Sequence, residues 1–305
     1  MSVQKTMSSR AWLELLILSA LWGGSFLVVE YALIELPVLT IVALRVLPAM
    51  LILWAYVLIR GLPVPRAPAI WGAFLVMGLL NNAIPFALLT YGQVFIESGL
   101  TSILNGATAP FGVVLAAIFF VDERLTVRKS IGVSLGFFGI LIAIGPANLG
   151  SFDPRSVGQL AVIGATVSYG FAGVWARKHL VGLAGPVAAA GMLTGSSLMI
   201  VPYALWVDGF PNLSLLPATI ASMAYYAIFA TALAYLLYYR VLAMAGSGNL
   251  MLVTLFVPVI AILLGAIMLG ETLEPSALVG FLVIALGMVI LDGRVATWLR
   301  ARLSN

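Results

Sequence analysis

The sequence predicts an all-α membrane protein with ten transmembrane helices, arranged as two inverted five-helix repeats around a central cavity. Three observations predict it. The 305 residues are 63% hydrophobic and only 9% charged, a composition that a soluble chain of this length could not cover with polar surface. Apolar runs of about 20 residues recur from end to end, each long enough to cross the hydrocarbon layer. The sequence also repeats itself: Leu88-Leu89-x-Tyr91 returns 148 positions later as Leu236-Leu237-x-Tyr239. The same offset pairs Leu104 with Leu252, Pro110 with Pro258, Glu123 with Glu271, Leu125 with Leu273, Gly132 with Gly280 and Gly139 with Gly287. Five spans per repeat is an odd number, so the second copy lies upside-down in the bilayer, an arrangement that lets one site open to either side.

Glycines, prolines and charge clusters delimit the elements. The expected spans are 11–33, 38–59, 69–91, 98–121 and 128–146, then 156–177, 184–206, 218–240, 246–269 and 276–293. Residues 1–147 form the first repeat and 148–305 the second, together one membrane domain. Lys5 and Arg10 precede the first apolar run, and no small-residue cleavage site follows it, so span one reads as a retained helix.

The basic residues orient the chain. With a cytoplasmic N-terminus and ten crossings, cytoplasmic segments hold Lys5, Arg10, Arg60, Arg66, Arg124, Arg128, Lys129, Arg177, Lys178, Arg240, Arg294, Arg300 and Arg302. External segments hold only Arg155, a bias that fits a multi-pass protein with both termini in the cytoplasm. The same bias accounts for the net charge of +4 without invoking nucleic acid. Glu30, Glu35, Glu97, Asp153, Asp208, Glu271 and Glu274 face outward in this topology.

Several chemistries are excluded. The chain has no cysteine, hence no disulfide or thiolate chemistry. No G-x-x-x-x-G-K loop, Cys/His metal set or paired-acid motif for a lipid-diphosphate enzyme is present; Asp122-Glu123 stands alone before Arg124. The expectation is therefore no enzyme activity, no cofactor and no metal.

Polar and aromatic residues deep within spans mark the candidate site, because hydrocarbon offers them no partner. Most tryptophans lie near span ends as interface anchors. Trp22 instead lies mid-span before Gly23, and at an offset of 147 this pair matches Tyr169-Gly170 in span six. Ser25 follows Trp22 by three residues. Asn82 and Phe86 share one face of span three beside Pro85, and Asn105 and Thr108 precede Pro110 in span four. Proline frees a backbone carbonyl and so suits a cavity wall. The site candidates are Trp22, Ser25, Asn82, Phe86, Asn105 and Tyr169. Each has an alternative reading as ordinary interhelical packing.

Arg45 lies about seven residues from the external end of span two. It is expected to snorkel toward that end and pair with Glu30 or Glu35, a structural role. Glu123 and Glu271 are expected to satisfy amides at the start of the next helix. No carboxylate stands mid-span, which weighs against a proton relay. Gly132-x-x-x-Gly136 and Gly191-x-x-x-Gly195 allow close helix contact, within one chain or between two. The oligomeric state is left undetermined, and a monomer is compatible with the sequence.

Trp22-Gly23, Pro37 with Arg45, and the paired Pro110…Glu123-Arg124-Leu125 and Pro258…Gly270-Glu271-Thr272-Leu273 resemble the EamA-type drug/metabolite transporter superfamily. The match spans nearly the whole chain. It implies a ten-helix fold, a central cavity, and export of small metabolites or amino acids across the bacterial inner membrane. Within the superfamily the chain looks most similar to bacterial aromatic amino-acid exporters. Many relatives carry a basic residue near the end of span one, where this chain has Glu30. The implied function is secondary transport of neutral or aromatic amino acids by alternating access, with a small-molecule substrate and membrane lipids as partners. Other cargo (lipophilic drugs, amines, sugars), a passive channel or packing partner, and a membrane enzyme acting on lipid-linked substrates are the alternatives.

Overall fold

The computed structural model describes residues 7–145, 154–212 and 214–292. The helices are α1 (Ser9–Leu33), α2 (Val38–Ile59), α3 (Pro68–Gly92), α4 (Ser98–Phe119) and α5 (Val127–Ile144), then α6 (Pro154–His179), α7 (Gly185–Val207), α8 (Pro217–Gly246), α9 (Val253–Leu269) and α10 (Pro275–Asp292). Eight are long and apolar enough to cross a membrane, and α9 and α10 are shorter apolar helices. No strand occurs among the described residues. The expected boundary between repeats and the cations Lys5, Arg294, Arg300 and Arg302 lie outside the described residues.

Packing between the halves is reciprocal. Helix α1 packs on α8 and α9, and its counterpart α6 packs on α3 and α4. Helix α7 packs on α3 as its counterpart α2 packs on α8, and two further large contacts join equivalent helices, α2 with α7 and α5 with α10. The α5–α10 contact fixes the sense of the repeat. A Cβ on Gly132 would sit 2.8 Å from the Gly287 carbonyl oxygen, and one on Gly139 would sit 2.8 Å from that of Gly280. Gly132 is equivalent to Gly280 in the repeat, and Gly139 to Gly287. The contacts are thus crossed, so two equivalent helices run antiparallel, as inversion requires. Both small-residue motifs act within the chain: Gly136 faces Pro110, while Gly191 and Gly195 lie against Phe74.

Acidic residues gather where helices begin, because helix starts present unpaired N–H groups and positive dipole ends. Asp208 accepts from the amide and hydroxyl of Thr40, both at 2.9 Å, at the start of α2. Glu35 accepts from the Leu216 amide at 2.9 Å and from the Thr219 hydroxyl at the start of α8. Glu271 accepts from the Ser98 amide and hydroxyl, each at 2.9 Å, and from the Gly99 amide at 3.2 Å at the start of α4. The expectation for Glu271 is therefore corrected in its target: it caps a helix of the other half rather than the helix that follows it. Glu123 also departs from expectation among its described partners. It pairs with Lys129 at 2.7 Å and Arg177 at 3.2 Å, while the start of α5 is capped by Thr126, whose hydroxyl accepts from the Lys129 amide.

Two predictions follow from this packing. Gly78→Ala would place a methyl 2.4 Å from the Met192 carbonyl oxygen and 2.5 Å from the Ser196 nitrogen. Backbone cannot yield cheaply, so destabilisation of about 1–3 kcal/mol is expected. Gly72→Ala, with nothing within 4 Å, should leave thermal unfolding in detergent unchanged or raised. Equal effects of the two would refute the close α3–α7 approach. Glu271→Ala would strand the buried amides of Ser98 and Gly99, at about 1–3 kcal/mol for each. Fluorescence-detected size exclusion after heating should show earlier loss of the folded peak than for Glu274→Ala, whose parent residue is exposed.

Candidate functional site

Helical regularity fails at matching places in both halves. Helix α3 contains a π segment at Leu79–Ala83, and α8 contains one at Tyr225–Leu233. Adding 148 to the first range lands inside the second. In α3 the cause is Pro85, which brings no N–H to the helix. Ile84 donates to the Leu79 carbonyl, five residues back. The carbonyl of Leu80, five residues before the proline, accepts instead from the Ser168 hydroxyl of α6 at 2.7 Å. Helix α4 is also interrupted, with a turn at Gly106-Ala107 between its two helical pieces. Such irregular backbone within a membrane is tolerated where protein lines a cavity.

Arg45 stands at the centre of this region. It is only 7% exposed. Its Nε donates to the Thr231 hydroxyl at 2.9 Å, and Nη1 donates to the Tyr226 hydroxyl at 2.7 Å. The guanidinium carbon lies 3.3 Å from the centroid of the Phe86 ring and 4.2 Å from that of Tyr226. The expected pairing with Glu30 or Glu35 is overturned. Stacking on Phe86 turns the side chain inward, and both acids are engaged elsewhere. Glu30 accepts from Gln93 Nε2 at 2.6 Å, and Glu35 caps α8.

Around Arg45 the structure gathers several sequence candidates. Phe86 carries the guanidinium. Asn82 donates to the Tyr235 hydroxyl at 2.9 Å and Asn81 donates to it at 3.3 Å. Tyr169 and Tyr235 lie within electrostatic range of Arg45, and Tyr169 packs against two of the hydrophobic clusters. Trp22 joins through Tyr238, with ring centroids 5.9 Å apart. Ser25 is less available, since its hydroxyl donates to the Trp22 carbonyl at 2.6 Å. Asn105 ends the first piece of α4, with its Oδ1 buried and without a hydrogen-bond partner; Asn82 Oδ1 is in the same condition.

Sequence reasoning missed Tyr226, Thr231, Tyr235 and Tyr238. One signal was available, because five of the ten tyrosines fall within α8, too deep and too many to be interface anchors alone.

Neither of the two described pockets lies where the central cavity is expected. Tyr169, Tyr235 and Tyr238 sit deep among protein atoms yet keep part of their surface accessible. A groove of about 560 Å³ lies elsewhere, on the flank between α3 and α7, and is lined by Trp71, Phe74 and Thr194. It does not touch the central residues. Among the described residues no group of three His, Cys, Asp or Glu could hold a metal ion.

Comparison with known proteins places this geometry. The EamA-like transporter family matches the chain twice, over residues 10–145 and 156–291. An uncharacterized transporter of Bacillus subtilis, YoaV, is 23% identical over 92% of this chain and 95% of its own length. A probable amino-acid metabolite efflux pump of Salmonella typhimurium is 27% identical, covering 90% of this chain and 92% of its own. One of the same description from Escherichia coli is 25% identical, over 93% of this chain and 95% of its own. A crystal structure 19% identical in sequence matches 97% of this chain and 99% of its own with a TM-score of 0.67, a likeness of fold. Two copies of one family unit, a helical membrane fold and relatives described as transporters or efflux pumps agree: the chain belongs to the EamA-like transporter family and is a multi-pass membrane transporter of small molecules, not an enzyme.

Proposed function

We propose that the chain exports neutral or aromatic amino acids and related small metabolites across a bacterial inner membrane by alternating access at the central site. The units that rock against each other are residues 1–147 and 148–305. The carrying observation is the polar and aromatic cluster of Asn82, Phe86, Tyr169 and Tyr235, built on the π-distorted stretches of α3 and α8 and the facing stretch of α6. Two relatives described as probable amino-acid metabolite efflux pumps support the cargo class. The cation bias supports cytoplasmic termini and an outward acidic face.

Each group has a chemical task. Trp22, Phe86 and Tyr169 enclose an apolar or aromatic side chain. Asn82 Oδ1 and Asn105 Oδ1, buried acceptors without donors, receive N–H groups from an ammonium once the site opens. Ser25 keeps an acceptor lone pair after its own donation. No residue needs to react; the work is binding on one side and release on the other.

Counterflow in proteoliposomes tests this reading. Preloaded L-phenylalanine should accelerate entry of labelled L-phenylalanine, which a passive channel would not do. Trp22→Ala and Asn82→Ala should lower that flux about tenfold or more, by analogy with the loss of about 1.4 kcal/mol of binding, while both proteins elute as single folded peaks. Undiminished flux in both variants would remove these residues from the site.

A further inference from the structure

We propose that Arg45 is the anion anchor of the central site, and that the cargo must present a carboxylate to it; this rests on the transport reading above. Four features of the guanidinium lead there. Arg45 is 93% buried by its 7% exposure, and no described carboxylate lies within ion-pair distance of it. Its two protein partners, Thr231 and Tyr226, are neutral hydroxyls. Its Nη2 makes no hydrogen bond to a described residue, and it is absent from the buried polar atoms sealed off without a partner. That nitrogen therefore keeps a little accessible surface and an uncommitted pair of N–H groups. Finally, the Phe86 ring 3.3 Å away holds the guanidinium plane, so the free edge is fixed in direction.

A buried cation without a counterion is costly in a low-dielectric interior. Neutral hydroxyls and aromatic faces offset part of that cost, and an arriving carboxylate offsets the rest. Arginine suits the task because its planar fork meets both oxygens of a carboxylate. The other charged groups near this end of the helices do not compete. Glu30 is engaged by Gln93, Glu35 by the start of α8, Asp208 by the start of α2 and Glu97 by Arg155. Arg45 thus decides specificity: acids with an apolar or aromatic body are accepted, and their amides and amines are refused. Only the anionic end of the cargo is essential to this anchor.

The test compares three probes on the purified full chain: L-phenylalanine, L-phenylalaninamide and 3-phenylpropionate. Thermal shift reads binding, and counterflow in liposomes reads transport. The expected result is that both carboxylates stabilise the wild type, that the amide binds at least tenfold more weakly, and that Arg45→Gln abolishes the distinction. Should Arg45→Gln fail to fold, Arg45→Lys keeps the charge but loses the fork and is expected to bind the acids about tenfold more weakly. The wild-type comparison of acid with amide needs no variant at all. Equal binding of amide and acids, or no binding by any probe, overturns the proposal. Carboxylate-selective binding without any counterflow would leave Arg45 as the anchor and sink the transport reading instead.

Discussion

Within hydrocarbon every backbone N–H and C=O must find a partner inside the protein, and the rest of the structure follows from that constraint. Regular helices meet it by themselves, so most of the chain is helix and most side chains there are simply apolar. At several departures from regularity a side chain takes over the lost bond. Ser168 of α6 supplies the donor for Leu80 in α3, and Thr231 returns a hydrogen bond to the Tyr226 carbonyl within the π segment of α8. Glu271 supplies acceptors for the start of α4. Several of these repairs join one half of the chain to the other. The irregular backbone around the Arg45 cluster and the contacts that hold the repeats together are therefore partly the same interactions.

Much of the architecture was legible because it rests on one-dimensional signals. Hydropathy placed the spans, and their ends agree with the helices to within a few residues for most of the chain. The exception is instructive. Span eight was expected to stop near Arg240, but α8 runs on to Gly246, whose φ of 80° ends it. The apolar residues Val241 and Leu242 carry the helix past the arginine, which snorkels back to Glu14. Trp22 and Tyr169 stood out for a different reason, since the internal repeat puts two unusual aromatics at one depth. Arg45 was misread because its partners lie 181 and 186 residues away in sequence. Nothing in a hydropathy profile says which face two distant helices share. The π segment of α3 had a flag in Pro85, whereas that of α8 contains no proline and left no mark.

The two halves share a scaffold but not their closing contacts. At an offset of 147, Arg177 near the end of α6 is equivalent to Glu30 near the end of α1. Arg177 pairs with Asp122 and Glu123 in the loop after α4, tying the second repeat to the first. Its hydrogen bond holds the Asp122 carboxyl below the usual aspartate range. The stabilisation from that pair is present above the ordinary aspartate pKa and is lost as pH falls through the lowered one. Both partners are exposed, so salt screens it. Glu30 has no such cation among the described residues. It takes one hydrogen bond from neutral Gln93 and stands near enough to Glu97 and Glu271 for the like charges to interact.

Inversion alone would make the two open states equal in energy, because turning one repeat into the other exchanges the two faces. The substitution of an acid for the equivalent cation makes the two ends chemically different: Arg177 is ion-paired, whereas Glu30 has no ion-pair partner among the described residues. One end carries the ion pairs of Arg177 and Arg240 across the repeats, and the other carries the pair of Arg155 with Glu97, beside a Glu30 that has only neutral Gln93 as its described partner. The core contacts, Gly132 on Gly287 and Gly139 on Gly280, bind equivalent helices to each other. They are the same from either side of the pseudo-two-fold, and so cannot favour one face over the other.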